Sequence, residues 1–280
     1  MTDLRRQMTE DMKLHALTEG TQTTYLEAIK NLAAHYKRPP DQLSEQEIRD
    51  FIVYLTKTKS LGSSTVRVYF YAIKFLYQKT LNKKWRSLDL IRIKRAHKLP
   101  TVLTAEEVWH ILNRVRRPVA RMSLIMMYSC GLRVSEANHL QASDIDSKRM
   151  VVCVRNGKGA KDRHVPLPKQ TLEQLRQYWG KHRPEAWLFP SQNSVKPIRS
   201  GSVRRCLKAA LWKSDVKKNV TCHTLRHCYA THLLEKGVDL RVIQGLLGHK
   251  SLKTTFIYMH LSQSTMTDVH SKINDLMTNH

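Results

Sequence analysis

His223-Thr-Leu-Arg226-His227-Cys-Tyr-Ala-Thr-His-Leu-Leu-Glu-Lys-Gly237 and, after a short link, Leu240-Arg-Val-Ile-Gln-Gly-Leu-Leu-Gly248-His249 form the stretch that decides the fold of this 280-residue chain. Apolar residues recur at helical spacing over 223–236 and again over 239–247, and Gly237 and Gly248 stand where helix ends favour glycine. The first helix opens on His223 and Arg226, one turn apart and on one face. The second ends on Leu246-Leu-Gly248-His249, and Tyr258 follows nine residues later in Thr254-Thr-Phe-Ile-Tyr258, within a further helical pattern over 252–259. Two polar clusters at helix ends, separated by apolar helix, mark a helical domain that carries chemistry at its element junctions.

Upstream, Met150-Val-Val-Cys-Val154 is rich in β-branched residues, Arg155-Asn-Gly-Lys-Gly-Ala-Lys-Asp162 is a glycine-bearing turn, and Arg163-His-Val-Pro-Leu167 reads as the return strand, its Pro166 suited to an edge. Further helical patterns cover 169–180 and 202–213, and Thr104 with Glu107 makes a capping box. The first 90 residues read as a basic helical bundle. One pattern runs through Tyr25, Leu26, Ile29, Leu32 and Tyr36, a second through Ile48, Phe51, Ile52 and Leu55 behind the Ser44–Glu47 capping box, and a third through Val66, Phe70, Ile73 and Leu76; Leu4, Met8 and Met12 suggest a fourth. Ile91-Arg-Ile-Lys-Arg-Ala-His-Lys-Leu-Pro100 is basic, lacks helical patterning and reads as a linker. The expected fold is mainly α with a small β-sheet (α+β), in two domains, 1–97 and 98–280. A C-terminal stripe of Val269, Ile273, Leu276 and Met277 would pack on its own domain or on a neighbour's.

The charge narrows the partners. Lys+Arg outnumber Asp+Glu by 48 to 23, a formal net charge of +25, and both parts are cationic: 18 basic against 10 acidic side chains in 1–97, and 30 against 13 in 98–280. Charge at this level costs self-repulsion unless a polyanion offsets it, and nucleic acid is the commonest one. Five irregularly spaced cysteines exclude a disulfide framework, and the opening Met1-Thr-Asp-Leu-Arg-Arg shows no apolar run of a signal peptide. The longest apolar stretch, near Leu124 to Tyr128, is too short to span a bilayer, so a cytoplasmic, nucleoid-associated protein is expected.

The chemistry-bearing residues are cations and hydrogen-bonding groups. Gly131-Leu-Arg133-Val-Ser-Glu136 lies where one apolar helix ends and another begins, and Lys158 sits at the tip of the β turn. No P-loop, no G-x-S-x-G elbow and no tight carboxylate cluster for Mg²⁺ occurs, which argues against ATP use and a two-metal nuclease. Taken singly, each residue has an ordinary reading: Arg133 as a helix-end charge, Lys158 as a surface lysine, His249 as a dipole partner, Tyr258 as a core aromatic. Cys222, His223, His227, Cys228 and His232 crowd one segment, but neither H-E-x-x-H nor C-x-x-C spacing is present, so no metal and no cofactor is expected. Tyr229, close to Arg226, is a second candidate nucleophile for which packing is the better account.

In order, R-x-x-E at Arg133 and Glu136, a turn lysine at Lys158, H-x-x-R-H at His223, Arg226 and His227, L-G-H at His249 and then Tyr258 resemble the tyrosine recombinase (phage integrase) family over about 104–262. The phrases GLRVSE, GKGAKDRHVPLP and HTLRHCYATHLLEKGVDLRVIQGLLGHKSLKTTFIYMH are similar to Xer-type and integron-type members. The resemblance implies an N-terminal helical core-binding domain and a C-terminal catalytic domain clamped around DNA. It implies that Tyr258 is the nucleophile, that Arg133 and Arg226 bind the non-bridging phosphate oxygens, and that Lys158 is the general acid. His223 would help proton transfer, His249 would donate to the phosphate, and Glu136 would support the site. The reaction implied is metal-free, ATP-free strand transfer through a 3′-phosphotyrosine, by a homotetramer on two double-stranded DNA sites. Physical chemistry agrees: paired guanidiniums offer fixed bidentate donors to equatorial oxygens, and a tyrosine with a free pKa near 10 needs a cationic site.

Lys161 and Arg163 beside the turn are expected to contact phosphates, and Arg204 with Arg205 to line a DNA-facing helix. The rival readings are a type IB topoisomerase that relaxes DNA, which the short chain and the tail stripe disfavour, and a catalytically silent DNA-binding protein, which the full set of catalytic residue types disfavours. No room exists before His223 for the extra helical insertion of an integron integrase, so a phage, transposon or Xer-like role is favoured.

Overall fold

The computed structural model describes residues 3–83, 85, 91, 93, 100–155, 162–192, 196–249 and 255. Lys158, Lys161, Tyr258, the pattern over 252–259 (Thr255 apart) and the C-terminal stripe lie outside the described residues. The chain divides into two compact units, residues 1–98 and 99–280.

The first unit holds α1 (Asp3–Leu14), α2 (Glu19–Tyr36), α3 (Glu45–Lys57) and α4 (Ser63–Phe75), the last continued by a π-helical turn over Leu76–Thr80. The Ser44 capping box forms, with the Glu47 amide donating to Ser44 Oγ at 3.3 Å and the Ser44 amide to Glu47 Oε2 at 2.8 Å. Met8, Leu32, Ile48, Phe51, Ile73 and Leu76 are buried together, so the weakly patterned first helix belongs to the core. Trp85, Ile91 and Ile93 also pack on it, so two apolar residues of the basic linker serve as anchors on this core.

The second unit is built round one helix. Its elements are α5 (Ala105–Asn113), α6 (Pro118–Ser129), the short α7 (Val134–Asn138), strands β1 (Ile145–Asp146), β2 (Val151–Val154) and β3 (Arg163–Pro166), then α8 (Lys169–His182), α9 (Ser200–Trp212), α10 (Cys222–Glu235) and α11 (Leu240–Leu247). Seven of the eight positions of α6 from Ala120 to Met127, all but Arg121, are buried, the signature of a helix covered on all sides. It packs against α5, α7, α8, α9 and α10. The sheet is antiparallel in the order β1-β2-β3, with Val152 opposite Val165 and Val154 opposite Arg163. The two-residue β1 was not legible in the sequence, while Pro166 does occupy an edge strand. Among the described residues no helix is long and apolar enough to cross a membrane.

Candidate active site

The site begins at a glycine. Gly131, with φ +61°, turns the chain from α6 into α7; a Cβ there would lie 2.5 Å from the Tyr229 ring, so geometry and space both require glycine. Two residues later Arg133 occupies the N-cap of α7, and its amide donates to Glu136 Oε2 at 2.7 Å. This brings the Glu136 carboxylate back over the turn, where its side chain is only 7% exposed.

Three arginines converge on that carboxylate. Arg133 donates to Oε1 at 2.6 Å, Arg163 to both oxygens at 3.0 and 2.9 Å, and Arg226, itself buried, reaches within 3.5 Å. The same three arginines take the carbonyls that end α11. Arg163 Nε donates to Leu246 O at 2.8 Å, Arg226 to Leu247 O, and Arg133 to Gly248 O at 3.4 Å. These carbonyls are the ones a helix leaves without intrahelical partners, at the negative end of its dipole. Arg226 also donates to Gly131 O at 2.7 Å, tying α10 to the turn. Burial by itself pushes the Glu136 carboxyl up, but hydrogen bonds from Arg163 and the Arg133 amide, with the Arg163 charge, outweigh it and hold the pKa at about 2. Three guanidiniums against one carboxylate leave surplus positive charge in a largely desolvated place, which an anion would offset.

Histidines border this cluster. His249 follows Gly248, whose φ of +61° ends α11 in the left-handed conformation. Its backbone is held by Gln244 from both sides: the His249 amide donates to Gln244 O at 3.1 Å, and Gln244 Nε2 donates to His249 O at 3.0 Å. Its Nδ1 lies 3.0 Å from the hydroxyl of Thr255, a residue with no exposed surface. Desolvation, then the charges of Arg226 and Arg133, lower the His249 pKa to about 4. His223 stands at the exposed N-terminus of α10, its pKa lowered first by desolvation from the groups around the ring and then by Arg226 and Arg133. The His227 ring packs edge-on against it at 4.5 Å, and burial and His223 lower its pKa to about 4. His227 and His249 are therefore neutral at pH 7.

The structure thus brings together Arg133, Glu136, Arg226 and His249, with His223 beside them. Arg163, expected to contact phosphates, joins them too: its side chain is 11% exposed and all its guanidinium nitrogens donate within the protein. A signal was present, since Arg163 shares a strand face with Val165 and Leu167, both buried. Arg204 lines a groove of about 770 Å³ with Arg133, His223 and Lys208, whereas Arg205 lines a separate cavity of about 860 Å³ with Arg117, Lys196 and Arg199. Tyr229 is buried, its hydroxyl pushed up to about 12 by desolvation, and serves as the wall behind Gly131. His232 and Cys228 face Leu103: His232 Nε2 lies 2.8 Å from Leu103 O and the Leu103 amide donates to Cys228 Sγ at 3.3 Å, which fixes the entry of the chain into this unit. Among the described residues no group of three or more His, Cys, Asp or Glu side chains is arranged to hold a metal ion.

The cluster is cationic and largely desolvated, at the meeting of helix ends and a strand in the second unit, an arrangement whose charge suits an anion. Residues 101–265 match the phage integrase family, and residues 4–87 match the phage integrase N-terminal SAM-like domain. An integrase/recombinase of Sinorhizobium fredii is 41% identical over 263 residues, 94% of this chain and 85% of that one. The tyrosine recombinase XerA of Pyrococcus furiosus is 34% identical over 234 residues, 81% of this chain and 80% of its own. The crystal structure of XerA recombinase superposes with a TM-score of 0.56 at 26% identity, covering 96% of this chain and 97% of that one. A lambda integrase dimer bound to a COC′ core site does so with a TM-score of 0.73 at 20% identity, covering 90% and 95%, a likeness of fold. The chain belongs to the phage integrase family, the tyrosine recombinases.

Proposed function

We propose that this chain is a site-specific DNA recombinase that cuts and rejoins strands through a covalent 3′-phosphotyrosine at Tyr258. The observation that carries the reading is the Glu136 hub, which holds Arg133 and Arg226 together at the end of α11 and sets neutral His249 beside them. A phosphodiester transition state gathers charge on its equatorial oxygens, and donors held rigidly in advance stabilise it without reorganisation. Arg133 and Arg226 take the non-bridging oxygens, and His249 donates a further hydrogen bond. The Tyr258 oxygen attacks phosphorus and forms the phosphotyrosine ester as the bond to the 5′ oxygen breaks. Lys158 gives its proton to that leaving oxygen, while His223 assists proton transfer at the attacking hydroxyl. Attack by a 5′ hydroxyl on the ester reverses the step and needs neither ATP nor a metal ion. Residues 1–97 serve as the core-binding domain and 98–280 as the catalytic domain, both acting on double-stranded DNA. Four protomers act on two duplexes.

The test uses nicked suicide duplexes from the genomic flanks of the gene. Wild-type protein is expected to form a covalent protein–DNA adduct and Tyr258→Phe none. An adduct that persists in Tyr258→Phe overturns the assignment. Relaxation of supercoiled DNA without strand exchange between two sites would move the chain to the topoisomerase reading.

A further inference from the structure

The hydroxyl of Thr255 sits 3.0 Å from Nδ1 of His249, and Thr255 is fully buried. A neutral imidazole carries one N–H, and the hydrogen bond made by one ring nitrogen decides which nitrogen bears it. His249 is neutral at pH 7, since desolvation and the neighbouring Arg226 and Arg133 depress its protonation. Either member of this pair can in principle donate. If Nδ1 carried the proton, the Thr255 hydroxyl would accept, and its own O–H would be a buried donor with no other acceptor among the described residues. Leaving a buried donor unsatisfied is the more costly arrangement. Donation by the hydroxyl to Nδ1, with the ring proton on Nε2, avoids that cost.

We propose that Thr255 is a positioning residue of the reaction, whose hydroxyl fixes His249 in the Nε2–H tautomer and so presents a hydrogen-bond donor to the scissile phosphate. The proposal rests on the reading of His249 as a phosphate donor. Thr255 completes a three-point hold on His249. Gln244 fixes the backbone through the amide and the carbonyl, and Thr255 fixes the ring about χ2 as well as its tautomer. The inverted tautomer would turn a lone pair toward an anion, repelling the group the site is built to bind. A threonine also suits the task sterically. Its branched Cβ restricts χ1, so the hydroxyl is held in few orientations.

The experiment observes the ring of His249 in the full chain labelled with ¹⁵N-histidine at pH 7, beside single-turnover cleavage of the nicked suicide duplexes. Wild type should show a pyridine-like Nδ1 and a pyrrole-like Nε2. Thr255→Val keeps the shape and removes the donor; it should give a mixed or inverted tautomer and cleave about tenfold more slowly with DNA affinity unchanged. Thr255→Ser should restore both the tautomer and the rate. A pyrrole-like Nδ1 in wild type, or the same tautomer in Thr255→Val as in wild type, overturns the proposal. Cleavage at the wild-type rate by His249→Ala removes His249 from the chemistry while the tautomer result stands, so the two failures are distinguishable.

Discussion

Arg163 gives both terminal guanidinium nitrogens to Glu136, at 3.0 and 2.9 Å, in a pair that is almost wholly buried. The two residues lie 27 positions apart, one at the start of a strand and one in a short helix, and the pair joins the sheet to the turn that carries Arg133. Arg163→Met leaves Glu136 paired with Arg133 and Arg226, so the loss is that of charge-assisted hydrogen bonds rather than of a stranded charge. Arg163→Met should lose about 1.5–3 kcal/mol in urea-induced unfolding, and Arg163→Lys should recover little, because an ammonium lacks the planar fork that matches the carboxylate. Unfolding midpoints equal to wild type in both variants would show that the pair carries no stability.

The pH dependence has two windows. Glu136 titrates at about 2 in the folded chain against an ordinary value of 4.5, so its contribution is fully present above 4.5 and is lost as pH falls from there through 2, at most about 3 kcal/mol in all. His227 and His249 are depressed from 6.5 to about 4, so the unfolded chain binds protons that the folded chain refuses, and stability falls as pH drops from 6.5 to 4. Urea titrations across pH 7 to 3 should show both losses. Glu136→Gln should flatten the lower window and leave the upper one.

Gly131 is the tightest position in the turn. Gly131→Ala meets the Tyr229 ring at 2.5 Å and must also hold φ at +61°, so a loss of about 2 kcal/mol or more is expected from thermal unfolding. Adding Tyr229→Leu should relieve the clash and recover part of that loss, leaving the backbone cost of about 1 kcal/mol. A double variant no more stable than Gly131→Ala alone would place the whole cost in the backbone.

Arg204 and Arg205 are neighbours in sequence but line different cavities, and only Arg204 shares its groove with Arg133 and His223. Arg204→Ala should weaken binding to flank DNA and reduce the slope of log affinity against log salt by about 1, while Arg205→Ala should have the smaller effect on strand cleavage. Equal effects of both variants on cleavage would argue that the groove does not lead DNA to the site.

Much of the frame was legible because it is written in local terms. The capping boxes at Ser44 and Thr104, the glycines after helices at 237 and 248, and the β-branched run Val151–Val154 each act within a few residues of themselves. The two-residue strand Ile145–Asp146 was not legible, since so short a segment has no period of its own and exists only as a partner for β2. The linker was read from its charge, and the anchoring of Ile91 and Ile93 on the first unit depends on a core that only the packed chain presents.

The sequence by itself determined the order of Arg133, Glu136, Lys158, His223, Arg226, His249 and Tyr258, the helices and turns that bear most of them, and the family to which that order belongs. Tertiary structure decided how the described members meet. It made Arg163 part of the scaffold of the site, gave Arg204 and Arg205 different surroundings, and set Thr255 against Nδ1 of His249. The physical reason is range. Caps, turns and periodicity act over three or four residues, whereas one carboxylate gathering arginines from α7, β3 and α10 requires the core around α6 to place those three elements first.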